Sequence, residues 1–222
     1  MSENSELNIK PFSDVEENAE HFLNHKNQEF LKVTEFHGHV CPGSAMGYKA
    51  AEIAIKELSS KQAVDEELVC ITENDSCAVD AIQVLTGCTF GKGNLIFYDY
   101  GKQAYTFSNR ETKDSVRVSL KDTFSVEKID PELSKLRQKV KSGEASKEEK
   151  TELDKRLNSV SEAIINLPDD KIFDIEHIKV EIPHKARMFK SIRCESCGEM
   201  VSEHRIKLKN GKKFCIPCFN GK

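Results

Sequence analysis

Two cysteine pairs near the C-terminus constrain this 222-residue chain most: Cys194 and Cys197, then seventeen residues, then Cys215 and Cys218. A segment of about thirty residues cannot bury enough apolar surface to fold alone, so something else must supply the energy. Two CxxC knuckles at this separation offer four thiolates to a tetrahedral zinc ion, Zn2+, and Asn210-Gly211 supplies a hairpin turn between them. Metal binding is then folding energy. The same four ligands also suit an iron or iron–sulfur site, and two disulfides are the remaining alternative. We read residues 183–222 as a small zinc-ribbon or treble-clef-like domain. Arg193, His204, Arg205, Lys207, Lys209, Lys212 and Lys213 make it basic, which leaves nucleic acid or an anionic protein open as partners, although no base-reading pattern accompanies the charge.

The rest of the chain sets the setting for those thiols. Lys and Arg number 33 against 37 Asp and Glu, a net charge of −4, so the whole molecule exerts no pull on nucleic acid. No run approaches the ~20 apolar residues a membrane span requires, and the opening MSENSELNIKPFSDVEENAE has neither a basic nor an apolar signal region. The expectation is a cytoplasmic protein without membrane contact. In a reducing compartment, eight cysteines read as metal ligands or reactive thiols.

Residues 1–182 read as an α+β core. A helix is expected over 14–36, with Phe22, Phe30, Leu31 and Val33 as its apolar positions. A clearer one follows in SAMGYKAAEIAIKEL, where Ser44 is placed to cap and Met46, Ala50, Ile53, Ala54 and Leu58 share a face. LVCIT is a short strand, and CAVDAIQVLT a helix closed by Gly87. NLIFYDY and QAYTFSN, on either side of Gly101-Lys102, read as a hairpin, with SVRVSL as a third strand and IKVEI, 178–182, as a later one. The insert 131–165 is dense in Lys and Glu. It reads as two amphipathic helices joined at Gly143, with Ser146 and Glu149 as a capping box, forming a solvated hairpin over the sheet or an arm for a partner.

A second candidate centre lies in FHGHVCPG. In an extended segment alternate residues point to one face, so His37, His39 and Cys41 converge. Cys77, placed where a helix N-terminus lowers a thiol's pKa, and Cys88 extend the donor set, with Asp75 and Asp80 as carboxylates nearby. Together these would hold a second metal ion, zinc or iron, in the core. Cys77 and Cys88 lie at opposite ends of a helix of about 15 Å, so one ion does not need both. Cys41 is also the candidate nucleophile, with His37 or His39 as its base. GCTFGKG lacks the length and the hydroxyl residue of a nucleotide-hydrolysing loop; Gly91 and Lys92, with Asp80 beside them, remain as a candidate anion or cofactor cradle, against a plain tight turn.

Taken as a set, FHGHVCPGSAMGYKA, CAVDAIQVLTGCTFGKGNL, YDYGKQAYTF and the two-knuckle tail resemble the FmdE family, associated with formylmethanofuran dehydrogenase. The resemblance covers about residues 30–120 and 183–220. It implies a thioredoxin-like mixed sheet flanked by helices, a metal or ligand site around HGHVCPG, an appended zinc finger and a homodimer. The matching positions are His37, His39, Cys41, Pro42 and Gly43, then Cys77, Asp80, Gln83, Cys88, Gly91 and Lys92. It further implies anaerobic one-carbon metabolism of the methanogenic kind, beside molybdenum or tungsten oxidoreductase subunits. The chain has no large pterin-binding region and no ferredoxin-type cysteine run, which points to an accessory, non-catalytic subunit. The alternative is a regulatory or ligand-binding module whose finger contacts nucleic acid or protein.

Overall fold

The computed structural model describes residues 25–222. The chain divides into two compact units at His184 and Lys185.

In the first unit, helix α1 (His25–His37) is followed by α2 (Pro42–Glu57), strand β1 (Leu68–Thr72), α3 (Ala78–Thr86), β2 (Leu95–Phe97), β3 (Ala104–Asn109) and β4 (Ser115–Leu120). After a short 3-10 turn come α4 (Leu133–Lys141), α5 (Lys147–Asn166), α6 (Asp169–Ile172) and β5 (Phe173–Ile178). The helix expected over 14–36 is seen from His25, with Phe30 and Val33 buried and Leu31 exposed; its earlier part, including Phe22, lies outside the described residues.

The five strands form one mixed sheet in the order β2-β1-β3-β4-β5. The hairpin expected between 94–100 and 103–109 does not form. Instead β1 inserts between β2 and β3, parallel to the first and antiparallel to the second. LVCIT is apolar along nearly its whole length, and a strand buried on both faces is stabilised best at the centre of a sheet. Register then stacks Cys70 opposite Leu95 and Phe107, and Phe107 opposite Val116. These side chains join Ala45, Tyr48, Ile53 and Ile82 in one core cluster beneath α2 and α3. A fully buried Phe107 contributes roughly 2–3 kcal/mol to that core.

The last strand is Phe173–Ile178, not 178–182. Six residues of β4 pair six of β5, with Leu120 opposite Phe173 and Val118 opposite Ile175, whereas Val180 is exposed. Core-facing Phe173 and Ile175 fix the register that the alternation in IKVEI mimicked.

Two helices occupy the charged insert. Ser146 Oγ accepts the Glu149 N–H while the Glu149 carboxylate accepts the Ser146 N–H, closing the capping box. Leu153, Val160 and Ile164 of α5 are buried, and α5 packs against α2. Arg156 holds buried Asp130 through two hydrogen bonds of 2.9 Å.

Gly47 brings α2 against α3. A Cβ built on it lies 2.1 Å from the Ala78 carbonyl oxygen, so only glycine permits this crossing. That contact sets α3, and with it Cys77 and Asp80, against the start of α2.

The second unit contains β6 (Ser191–Arg193) paired with β7 (Met200–Ser202), then β8 (Lys207–Lys209) paired with β9 (Lys212–Phe214), and α7 (Ile216–Phe219). Asn210 and Gly211 both take positive φ, 52° and 75°, which is the turn expected of an Asn-Gly hairpin. Among the described residues no helix is long and apolar enough to cross a membrane.

Candidate metal centres

In the second unit Cys194, Cys197, Cys215 and Cys218 place their sulfurs within 4.8 Å of one another. Zinc–sulfur bonds of about 2.3 Å set tetrahedral neighbours about 3.8 Å apart, and Cys197 Sγ lies 3.9 Å from Cys215 Sγ. Backbone amides prepare the sulfurs: Cys215 N–H donates to Cys194 Sγ at 3.3 Å, and Cys218 N–H to Cys215 Sγ at 3.4 Å. Through the Cys215 and Cys197 amides the Cys194 thiol is drawn down to about 6. Cys197 moves the other way, to about 12: its Glu199 amide contact is outweighed by burial and by the neighbouring thiols. Four sulfurs this close cannot ionise together without a cation between them, so the residues fit zinc.

The first unit builds its cluster from three elements. Gly38, at φ 88°, ends α1, and its N–H bonds Thr34 O at 2.8 Å. The extended run expected for 37–41 is therefore absent. His37 is the last residue of a helix and Cys41 the N-cap of the next, so their convergence comes from a tight corner between α1 and α2. Cys41, not Ser44, is the cap. Its sulfur accepts the Ser44 N–H at 3.3 Å, and the Ser44 hydroxyl lies 3.4 Å from the Cys41 N–H, a capping box built on a thiol.

Cys77 reaches the same point from the start of α3. Gly43 makes this approach available, since a Cβ there would stand 3.1 Å from the Cys77 Cβ. His37, Cys41 and Cys77 consequently offer donor atoms all within 4.8 Å of one another, with His37 Nε2 3.7 Å from Cys41 Sγ. A tetrahedral ion with Zn–S of about 2.3 Å and Zn–N of about 2.1 Å sets such a pair about 3.6 Å apart. The other ring nitrogen, Nδ1, lies 2.7 Å from Asp80 Oδ2, one turn beyond Cys77 on α3. A histidine held by a carboxylate at its far nitrogen has its ring orientation and tautomer fixed for a metal.

Electrostatics divide the two thiols. Burial raises Cys41, yet the Ser44 amide and hydroxyl, Cys77 and His37 together bring it below its ordinary value. Cys77, expected to be the activated thiol, is raised by burial and by Cys41 beside it, and it makes no side-chain cap hydrogen bond. His37 is raised chiefly by its Asp80 hydrogen bond.

The other sequence candidates lie apart from this cluster. The exposed His39 ring tilts against His37 with centroids 4.5 Å apart, but its nitrogens are not among the gathered donors. Cys88 is buried beyond the far end of α3, next to Cys70, where burial pushes it up to about 11. The helix separates it from Cys77. Lys92 does not line an anion cradle: its ammonium donates to the Ala63 and Val64 carbonyls at 3.1 and 3.5 Å and ties its turn to the chain before β1. Gly91 and Asp75 are exposed. Ser44, expected as a helix cap, and Gly43, a matching position of the FmdE motif, take roles the sequence did not assign: the first holds the Cys41 sulfur and the second makes room for Cys77. The serine three residues after Cys41 is capping-box spacing and was readable; the glycine's role depends on a distant residue and was not.

Comparison with known proteins agrees with this architecture. Residues 36–174 match the family described as FmdE, Molybdenum formylmethanofuran dehydrogenase operon. Residues 187–222 match the prokaryotic dksA/traR C4-type zinc finger. A probable S-adenosyl-L-methionine-binding protein of Archaeoglobus fulgidus is 32% identical over 193 residues, 85% of this chain and 51% of that protein. The chain thus spans about half the length of that relative. Among solved structures, a tungsten formylmethanofuran dehydrogenase FmdE-like protein from Syntrophus aciditrophicus is 26% identical. The similarity covers 89% of this chain and 93% of that one, with a TM-score of 0.57. With the family's match extending over more than half of its length, this chain belongs to the FmdE family and ends in a C4-type zinc finger.

Proposed function

We propose that this chain is a metal-binding accessory protein of the formylmethanofuran dehydrogenase type, with a second ion, zinc or iron, held in its core by His37, Cys41 and Cys77. One observation carries the reading: three donors of soft or borderline character, from three separate elements, lie within 4.8 Å of one another. Held by His37, Cys41 and Cys77 alone, the ion would supply an open position and Lewis acidity for a small molecule. Asp80 orients the histidine, and the Ser44 amide and hydroxyl hold the Cys41 sulfur in place. Anaerobic one-carbon metabolism, a homodimeric state and a place beside molybdenum or tungsten oxidoreductase subunits belong to the same proposal, supported by the family description and by the similarity to the Syntrophus protein. Cobalt titration of the full chain tests the core. Two thiolate-to-cobalt absorption phases, the weaker absent in Cys41→Ser, support the proposal; a single phase unchanged by that substitution refutes it.

The finger favours a second role as well. Lys209 stands directly opposite Lys212 across the β8-β9 hairpin, and no carboxylate lies within 4.0 Å of either ammonium among the described residues. Like charges facing each other cost stability in a small module, and an anionic partner relieves the cost. Binding to nucleic acid that weakens steeply with salt, and less steeply in Lys209→Gln, identifies that partner; salt-insensitive binding excludes it.

A further inference from the structure

A cavity of about 280 Å³ opens beside α3, and none of the three gathered metal donors lines it. Val79 and Leu95 form its apolar floor, and Phe90 and Phe97 stand at its rim, 81% and 44% exposed. Two phenyl rings around one concavity, one largely and one partly in water, mark a contact surface.

The polar atoms of the wall narrow the ligand. Thr72 Oγ1 donates to Asn74 O at 2.7 Å. Asn74 Nδ2 donates to Lys102 O at 2.7 Å, and its Oδ1 accepts from the Ser76 amide and hydroxyl. These groups are engaged by one another and by Lys102 and Gln103 behind the wall. Gln83 Nε2 donates to Asp80 Oδ1 at 3.4 Å, which leaves Gln83 Oε1 and the exposed Asp75 carboxylate open. Gln83 Nε2 keeps a second N–H, so the open groups are two acceptors and this one amide donor. Among the described residues no Lys, Arg or His lines the cavity, so a phosphate or carboxylate finds no counter-charge in it.

We propose that this cavity binds a planar nitrogen heterocycle bearing an exocyclic amino group, of the adenine type, seated against Phe90 and Phe97 with its N–H donors on Gln83 Oε1 and Asp75. The volume lies just under the usual range of about 300–1,000 Å³ for ligand pockets, which suits one bicyclic ring and leaves a sugar outside. An amide beside an adenine edge is a familiar pairing, and aromatic rings supply the stacking face. The site goes beyond the metal reading and does not require the ion. Asp80 nevertheless belongs to both, with one oxygen on His37 and the other in the cavity wall, so a bound base lies next to the core donors.

Calorimetric titration of the full chain with adenine, adenosine, unsubstituted purine and adenosine 5′-monophosphate tests this. Adenine and adenosine should saturate a single site, purine should bind about ten-fold more weakly for want of the amino group, and the added phosphate should not improve affinity. Phe90→Ala and Phe97→Ala should each weaken adenine about ten-fold with thermal melting and metal content unchanged, and Gln83→Leu should weaken it as well. Cys41→Ser should retain adenine binding while losing core metal, which separates failure of this inference from failure of the metal reading. No saturable binding, equal affinity for purine and adenine, or unchanged affinity in Phe90→Ala overturns it.

Discussion

His37 Nδ1 and Asp80 Oδ2 meet at 2.7 Å although forty-three residues separate them in the chain. Helix α1 supplies the ring and helix α3 the carboxylate, so the contact exists only once the two helices have packed. Replacing Asp80 by Asn keeps the shape and removes the charge. We expect the core ion's affinity to fall about 10–100-fold in Asp80→Asn, measured by competition with a chelator, with little change in thermal stability.

Glycines at two positions of α2 set the spacing on which that geometry depends. Gly47→Ala drives a methyl into the Ala78 carbonyl, where an ideal Cβ lies at 2.1 Å, and should destabilise the first unit by about 3 kcal/mol in urea unfolding. Gly43→Ala is milder, since its Cβ meets the Cys77 Cβ at 3.1 Å. It should leave the fold standing and reduce metal occupancy of the core specifically. A Gly43→Ala variant with full core metal would show that Cys77 is not a ligand.

These glycines also mark the limit of what the sequence reveals. Spacing along the chain made the four finger cysteines and the Ser146–Glu149 capping box readable, because both are local patterns. His37, Cys41 and Cys77 were readable as residue types but not as an arrangement. Gly38 turns the chain where an extended run was expected, and Cys88 is carried away by the length of α3. The misread hairpin has the same origin. Parallel pairing of β1 with β2 joins segments more than twenty residues apart, and the Gly101-Lys102 turn gives no sign of it. Gly47 next to Ala78 is a contact between two helices that no periodicity encodes.

Acid sensitivity of the sheet should centre on Glu73 and Arg117. The Arg117 hydrogen bond holds the buried Glu73 carboxyl below its ordinary value of 4.5. Its stabilising contribution is complete above that value and is lost as pH falls through the lower folded-state pKa. Glu73 Oε2 has no hydrogen-bond partner, so Arg117→Met strands a buried charge and should cost about 3 kcal/mol at pH 7. That deficit should shrink below about pH 4, where the carboxyl protonates. Chemical denaturation of both proteins from pH 3 to 7 checks the sign; a deficit that grows on acidification contradicts it.

Removing zinc should unfold the second unit and leave the first folded. The β6-β7 and β8-β9 hairpins have three-residue strands with little buried surface. Chelation at neutral pH, or Cys194→Ser, should abolish the amide dispersion of residues 191–219 in NMR spectra while resonances of β1, β3 and β4 persist.

Anomalous X-ray diffraction from crystals of the full chain, recorded above and below the zinc and iron absorption edges, addresses the core centre most directly. A peak about 2.3 Å from the sulfurs of Cys41 and Cys77 and about 2.1 Å from His37 Nε2, in addition to one among the finger cysteines, is the predicted result. A finger peak with no anomalous scatterer between α1, α2 and α3, in protein prepared with metal in excess, would contradict the account.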